Sequence, residues 1–241
     1  MRIEIIGNKG VVGNATFELF KRLGYNVTGS DKESKVNLAD IYFVCTPEDT
    51  VEKIVKELTR NKIPIHLGNN VFIVIRSTVA PGTCKNLAQN TGYAHICHNP
   101  EFLREATALQ DEFSPARIVI GECCEKHGQM LEQLYKPLQR PIVRTDTTTS
   151  ELVKLASNAF LSCVLSFWNT IEEISKRADT SGHKVGMITS LDPRISSYGS
   201  RLHNKYGGRC LPKDIKQLIQ FAEKMGYDPT LLKAIEGVNG K

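Results

Sequence analysis

The 241-residue sequence predicts an α/β fold: a parallel β-sheet covered by helices, followed by a smaller all-helical domain. Three observations lead there. Short β-type runs alternate with helix-period segments through residues 1–145, the pattern of strand–helix–strand units. The pattern over residues 146–241 is helix alone. Several of the strand-sized runs are apolar at nearly every position, as strands buried on both faces of a parallel sheet must be.

Residues 1–6 form a β-type run that ends in Gly7, after which Phe17, Leu19, Phe20 and Leu23 recur at helical spacing until Gly24 closes the helix. The next strands are 26–29, leading to Asp31, and the apolar run 41–45. The gap between them is too short for a full crossover helix, so a loop is expected to join them. Helix 48–60, strand 71–76, the turn Ala80-Pro81-Gly82, a short helix, the run 95–97, strand 117–121 and helix 125–138 continue the alternation. After the run 142–144, Thr148 with Glu151 three residues on makes a capping-box signature for one long helix reaching about residue 178. Between 159 and 168 that helix is apolar nearly all round, which marks a buried spine or a subunit contact. Further helices are expected at 184–191, 212–225 and 229–238.

A composition of 41% hydrophobic and 24% charged residues excludes disordered and collagen-like chains. The charge excess of 31 − 26 = +5 is spread along the chain; it suits anionic small ligands and does not argue for nucleic acid. Apolar runs are too short to span a bilayer, and Glu4 interrupts the N-terminus before any signal-peptide core. Seven cysteines, an odd number without a CxxC, fit the reduced thiols of a cytoplasmic protein.

Four constellations could carry chemistry. Gly7, Gly10, Val11, Val12 and Gly13 lie between the first strand and first helix, with Asp31 ending the second strand. Glycines there let backbone approach a pyrophosphate, the helix N-terminus offers free N–H groups, and a carboxylate at Asp31 would accept from ribose hydroxyls, favouring NAD over NADP. This is the layout of a Rossmann-type dinucleotide site, except that the spacing is GxxGxxG, with Asn8 where the first motif glycine would stand. A ligand-free glycine-rich turn is the plain alternative. The second is the stretch 206–214, where Cys210 sits beside a helix N-terminus and near Lys213. Both features favour thiolate, making Cys210 the cysteine expected to be most reactive; a plain turn residue is the alternative. Cys45, Cys97 and Cys163 read as small core residues. Cys123-Cys124 stands without a His or Cys at ligand spacing, so no metal site is expected.

On the long helix, Lys154 and Asn158 are four apart on one face with Glu151 near the same line, a pair able to stabilise an oxyanion. Glu151 completing its own helix cap and Lys154 snorkelling to water would be the structural reading. Finally, Glu101 and Glu105 are two carboxylates four apart that would share a face in a helix, by default a solvated helix start. Thr78 stands at the carboxyl edge of the sheet, where open α/β sheets bind ligands.

Taken together, Gly10-Val11-Val12-Gly13, Ser77 to Thr83, Asn99 to Glu105, Glu151 to Asn158, Asp192-Pro193-Arg194-Ile195 and Gly207 to Asp214 resemble, in order and over nearly the whole chain, the UDP-glucose/GDP-mannose dehydrogenase family. The resemblance is nearest to its UDP-glucose 6-dehydrogenases. It implies two successive NAD-linked oxidations of the sugar 6-hydroxymethyl group to a carboxylate. Cys210 would then capture the aldehyde as a thiohemiacetal that is oxidised to a thioester, with Lys154 and Asn158 stabilising oxyanions. Asp214 would assist proton transfer, Glu101 would assist hydrolysis and Thr78 would order water. The same resemblance places Phe102, Leu103, Glu105 and Gly207 along the nucleotide sugar, and Arg194 at the substrate across a homodimer interface made by the helical domain. It places Thr46 and Lys213 at the cofactor. Family members carry a further UDP-binding domain after the central helix, which these 241 residues do not include. The expectations are therefore a nucleotide-sugar substrate, with the particular sugar open, and a possible separate UDP-binding chain. Two alternatives are a binding protein without turnover of its own and a β-hydroxyacid-type dehydrogenase, for which Cys210 would have no use.

Overall fold

β-branched and aromatic residues fill the central strands. In the computed structural model, which describes residues 1–31, 34–61, 71–201, 205–208 and 210–240, seven strands pair in the order β2-β1-β3-β4-β5-β6-β7. They are β1 (Arg2–Ile6), β2 (Asn26–Ser30), β3 (Ile41–Val44), β4 (Phe72–Ile75), β5 (Ile96–His98), β6 (Ile118–Glu122) and β7 (Ile142–Asp146). Strands β1 to β5 are parallel; β6 is antiparallel to β5, and β7 runs parallel to β6. The sheet is thus mostly parallel, as expected, with one antiparallel pairing, β5 with β6. The connection from β5 to β6 holds only a 3-10 turn at Glu105–Thr107 and the six-residue helix α4 (Ala108–Phe113), in place of a full crossover helix.

Because side chains alternate across a strand, each central strand feeds two cores. Ile6, Tyr42, Val44, Ile73 and Ile75 face the buried side of α2 (Glu48–Asn61), carrying Val51, Val55 and Leu58, and α3 (Thr83–Thr91), carrying Leu87. Ile3, Ile5, Phe43, Phe72 and Val74 face α1 (Val11–Arg22), through Leu19 and Phe20, and α5 (Glu125–Tyr135), through Leu131 and Leu134. No helix lies between β2 and β3 among the described residues.

The chain divides into two compact units, Met1–Lys154 and Leu155–Lys241. The division falls inside the 31-residue helix α6 (Thr147–Arg177), whose first turns are tied to the sheet unit through Ser150, Glu151 and Lys154. The second unit holds the rest of α6 with α7 (Gly182–Thr189), α8 (Cys210–Lys224) and α9 (Thr230–Gly240) around Leu165, Tyr206, Ile215, Ile219 and Ile235. The middle of α6 is not buried all round: Leu165 and Trp168 are enclosed, while Phe160, Phe167 and Ile174 lie open, seven residues apart along one stripe. No helix among the described residues is long and apolar enough to cross a membrane.

Candidate active site

The turn after β1 is shaped by close backbone approach. Gly7 adopts φ +87°, and a Cβ there would meet the Cys45 carbonyl oxygen at 2.6 Å; a Cβ on Gly13 would meet the Gly7 carbonyl oxygen at 2.1 Å. Gly7 therefore makes the tight turn and Gly13 lets α1 lie against it, which accounts for the irregular motif: Asn8 is packed over Gly29 and need not be glycine. Gly10 is the N-cap of α1 and supplies no side-chain cap, so the N–H groups of the first turn, at Val11 and Val12, stay open to an anion. Beside this turn lies a cavity of about 750 Å³ whose lining includes Gly7, Gly10, Ser30, Asp31, Thr46 and Thr50. The hydroxyls Ser30 Oγ and Thr46 Oγ1 are buried without a hydrogen-bond partner among the described residues, and such groups require one. An open helix N-terminus, two orphaned hydroxyls and a carboxylate at Asp31 fit a dinucleotide. Cys45 on the same wall is held inert, its thiol pushed up to about 12 by burial.

At the carboxyl end of the sheet, Lys154 is buried and its Nζ donates to Glu101 Oε1 at 2.9 Å, while Glu101 Oε2 accepts from the Leu103 N–H at 2.6 Å. The Phe102 ring lies close to two cations, with Arg117 4.0 Å and Lys154 5.5 Å from its centre. Residues 101–104 form no helix, so the two carboxylates do not share a helix face: Glu101 is buried and paired, and Glu105 is exposed at the start of the 3-10 turn. A shallow depression of about 430 Å³ beside it is lined by Val11, Asn14, Glu105 and Thr107. Thr78 is half-buried just beyond β4.

Glu151 corrects the capping-box expectation. The cap of α6 is Asp146, whose carboxylate accepts from the Thr149 N–H at 3.1 Å and from its hydroxyl. Glu151 is fully buried and accepts instead from the N–H groups of Gly82 (2.5 Å) and Cys84 (2.8 Å) at the start of α3. Burial pushes its carboxyl up, against the pull of those donors.

In the second unit, Asn158 Nδ2 donates to Asp214 Oδ2 at 2.6 Å, and Lys213 Nζ stands 2.7 Å from Asp214 Oδ1. Asp214 is wholly buried on α8. Cys210 is the first residue of α8 and is exposed, with Pro212 inside the first turn rather than opening the helix. The preceding stretch is clamped to α9, Tyr206 N–H donating to Asn239 Oδ1 and Asn239 Nδ2 to Tyr206 O. Gly207 is open to solvent. Arg194 is exposed and pairs locally with Asp192 at 2.6 Å.

Sequence reasoning missed three buried groups. Arg76 donates to both oxygens of Glu112 at 2.9 Å, and to Asn99 and Tyr135; burial pushes the Glu112 carboxyl up. His98 is fully buried against Ser150 Oγ at 2.8 Å, and burial lowers its imidazole to about 3. His127 Nδ1 lies 3.1 Å from Cys123 Sγ and 3.3 Å from Cys124 Sγ. The two adjacent cysteines thus have a histidine partner after all, at a spacing of four and three residues that could have been read.

Residues 29–139 match the NAD-binding domain, and residues 148–241 the central domain, of the UDP-glucose/GDP-mannose dehydrogenase family. The UDP-glucose 6-dehydrogenase YwqF of Bacillus subtilis is 37% identical over 216 residues, 83% of this chain and 48% of that protein. A UDP-glucose 6-dehydrogenase of Rickettsia conorii is 36% identical over 73% of this chain and 42% of its own length. The chain spans about half the length of the curated relatives it matches. Among solved structures, a UDP-glucose dehydrogenase from Pyrobaculum islandicum superimposes with a TM-score of 0.87 at 26% identity, covering 99% of this chain and 68% of that one.

Proposed function

The chain belongs to the UDP-glucose/GDP-mannose dehydrogenase family and carries its NAD-binding domain, and from that premise we propose that it oxidises the 6-hydroxymethyl group of a nucleotide sugar, UDP-glucose foremost, to the carboxylate. The observation that carries this reading is the pair of buried polar couples, Lys154 with Glu101 and Asn158 with Asp214, in a chain that sets an exposed Cys210 at the start of α8. Bound NAD supplies the hydride acceptor for both oxidations. The open N–H groups of Val11 and Val12 would hold its pyrophosphate and Asp31 its ribose, with Gly7, Gly10 and Gly13 giving access; by the family resemblance Thr46 and Lys213 would also serve the cofactor.

The Cys210 thiolate adds to the aldehyde formed in the first oxidation, giving a thiohemiacetal. Loss of its hydroxyl proton to water and of a second hydride to the cofactor leaves a thioester, which water cleaves to the acid and free thiol. Lys154 and Asn158 donate to the oxyanion at each stage, and Asp214 orients Asn158 and exchanges a proton through water. Glu101, freed from Lys154 as charge develops on the substrate, accepts a proton from the hydrolytic water, which Thr78 helps to order. Phe102, Leu103, Glu105 and Gly207 line the sugar nucleotide. The exposed stripe of Phe160, Phe167 and Ile174 supports a homodimer through the helical unit, within which Arg194 serves the substrate of the partner copy.

The test is NADH formation with UDP-glucose, UDP-N-acetyl sugars and GDP-mannose, with and without an added UDP-binding polypeptide. Two NADH per sugar are expected with one of them, and Cys210→Ser is expected to stop at the first oxidation or earlier. No NADH under any of these conditions contradicts the proposal.

A further inference from the structure

Three donor side chains that the proposed reaction does not use meet at the other end of β5 from Glu101. His95 immediately precedes β5, Cys123 immediately follows β6, which runs antiparallel beside it, and His127 lies in the first turn of α5. One ligand atom from each, two imidazole nitrogens and a sulfur, all lie within 4.8 Å of one another. In a tetrahedral zinc site with bonds of about 2.0–2.3 Å, neighbouring donors stand about 3.3–3.8 Å apart. The Cys123 Sγ to His127 Nδ1 distance of 3.1 Å is already close to that edge, and the remaining gaps close with side-chain adjustments of about 1 Å.

The ligands are held where a site needs them. His127 is fully buried, its ring stacked on Phe72 with centres 4.4 Å apart, and the His95 ring stands edge-on to it at 5.0 Å and 86°. His95 and Cys123 are only partly buried, which leaves a path for an ion to enter. A thiolate with two imidazoles is a donor set for a borderline cation, and no carboxylate or carbonyl cage is present among these donors to suit calcium or magnesium.

We propose that His95, Cys123 and His127 bind one divalent cation of the zinc class, with the Cys124 thiolate or a water completing the tetrahedron. Cys124 Sγ stands 3.3 Å from His127 Nδ1. The ion would join β5, β6 and α5, where the β5–β6 pairing is short, and would stabilise the sheet unit without touching the catalytic edge.

The full chain, stripped of metal and kept reduced with a phosphine, is titrated with zinc chloride against a chromophoric chelator, and separately with cobalt(II). One tight zinc equivalent per chain is expected, with a higher melting temperature. Cobalt should give a thiolate-to-metal charge-transfer band and the intense visible bands of a tetrahedral site. Cys123→Ser and His127→Gln should each lose the equivalent and the charge-transfer band, whereas Cys210→Ser should keep both. Since replacing buried His127 can disturb folding, His95→Gln at a partly exposed position is the second ligand variant, and the wild-type cobalt spectrum requires no variant. Absence of a tight equivalent in the wild type, an octahedral cobalt spectrum, or retention of the equivalent in both Cys123→Ser and His95→Gln would overturn the proposal.

Discussion

Replacing Gly13 by alanine tests whether the close seat of α1 against the first turn creates the dinucleotide site. The added Cβ would fall 2.1 Å from the Gly7 carbonyl oxygen and 2.7 Å from its carbon, below the 3.0 Å that such contacts respect. The obstruction is backbone, so it cannot swing aside; α1 must retreat by about 1 Å, an overpacking that costs about 1–3 kcal/mol. For a unit of this size each kcal/mol lowers the melting temperature by about 2–4 °C. The same retreat withdraws the N–H groups of Val11 and Val12 from the pyrophosphate. Losing one hydrogen bond to a charged group is worth about 1.5–3 kcal/mol, a tenfold or greater rise in the NAD dissociation constant. Gly24 at the other end of α1 is the control. It has φ +82°, and a Cβ added there would meet nothing within 4 Å, so Gly24→Ala costs about 1–2 kcal/mol of left-handed strain and leaves NAD binding unchanged. Calorimetric titration with NAD and thermal unfolding of both variants give the answer. NAD binding by Gly13→Ala within twofold of the wild type, or an equal loss in Gly24→Ala, would refute the reasoning.

Three further outcomes follow from buried groups of the sheet unit. Glu112→Gln leaves the Arg76 guanidinium buried with a weakened partner and is expected to cost about 3–5 kcal/mol in urea unfolding; a double Arg76→Met/Glu112→Leu variant should lose less than the single one. Glu151→Ala strands the Gly82 and Cys84 N–H groups at the start of α3 and should lower stability by about 1–3 kcal/mol, seen as a lower urea midpoint at constant m-value. His98 is neutral in the folded chain, its imidazole lowered by burial to about 3, whereas the unfolded chain takes up a proton below about pH 6.5. The unfolded state then binds more protons, so stability is fully present above about pH 6.5 and falls towards pH 3 by about 1.4 kcal/mol per unit. His98→Gln should remove that slope from a stability profile between about pH 6.5 and 5, and an unchanged slope would count against a neutral buried His98.

Periodicity and glycine placement made most of this fold legible. The apolar runs at 41–45 and 71–76 are β3 and β4 within a residue or so, and the lack of a helix before β3 among the described residues followed from the length of the gap. Local rules failed where partners are distant in sequence. The Arg76–Glu112 pair joins residues 36 positions apart, and nothing in either segment announces the other. Thr148 and Glu151 satisfy the capping pattern, but Asp146 at the start of the helix takes the cap and Glu151 is drawn to α3, because a buried carboxylate gains more from two orphaned N–H donors than from its own helix end. Glu101 and Glu105 match helical spacing across a segment that forms no α-helix, since Asn99-Pro100 disfavours helix and the Glu101 carboxylate is claimed by Lys154 and the Leu103 N–H. Cys123 and His127 are near in sequence, but they bridge a strand end and a helix start, which a scan for single-element spacing passes over.

The central claim is that Cys210 carries the sugar through the second oxidation. The most direct measurement is the mass of the Cys210 peptide after Glu101→Gln, expected to slow thioester hydrolysis, has been mixed with NAD and the nucleotide sugar and quenched in acid. A uronyl thioester on Cys210 is predicted to accumulate in that variant and to be absent from Cys210→Ser. Continued formation of NADH and acid product with Cys210 unmodified in every variant would contradict the account.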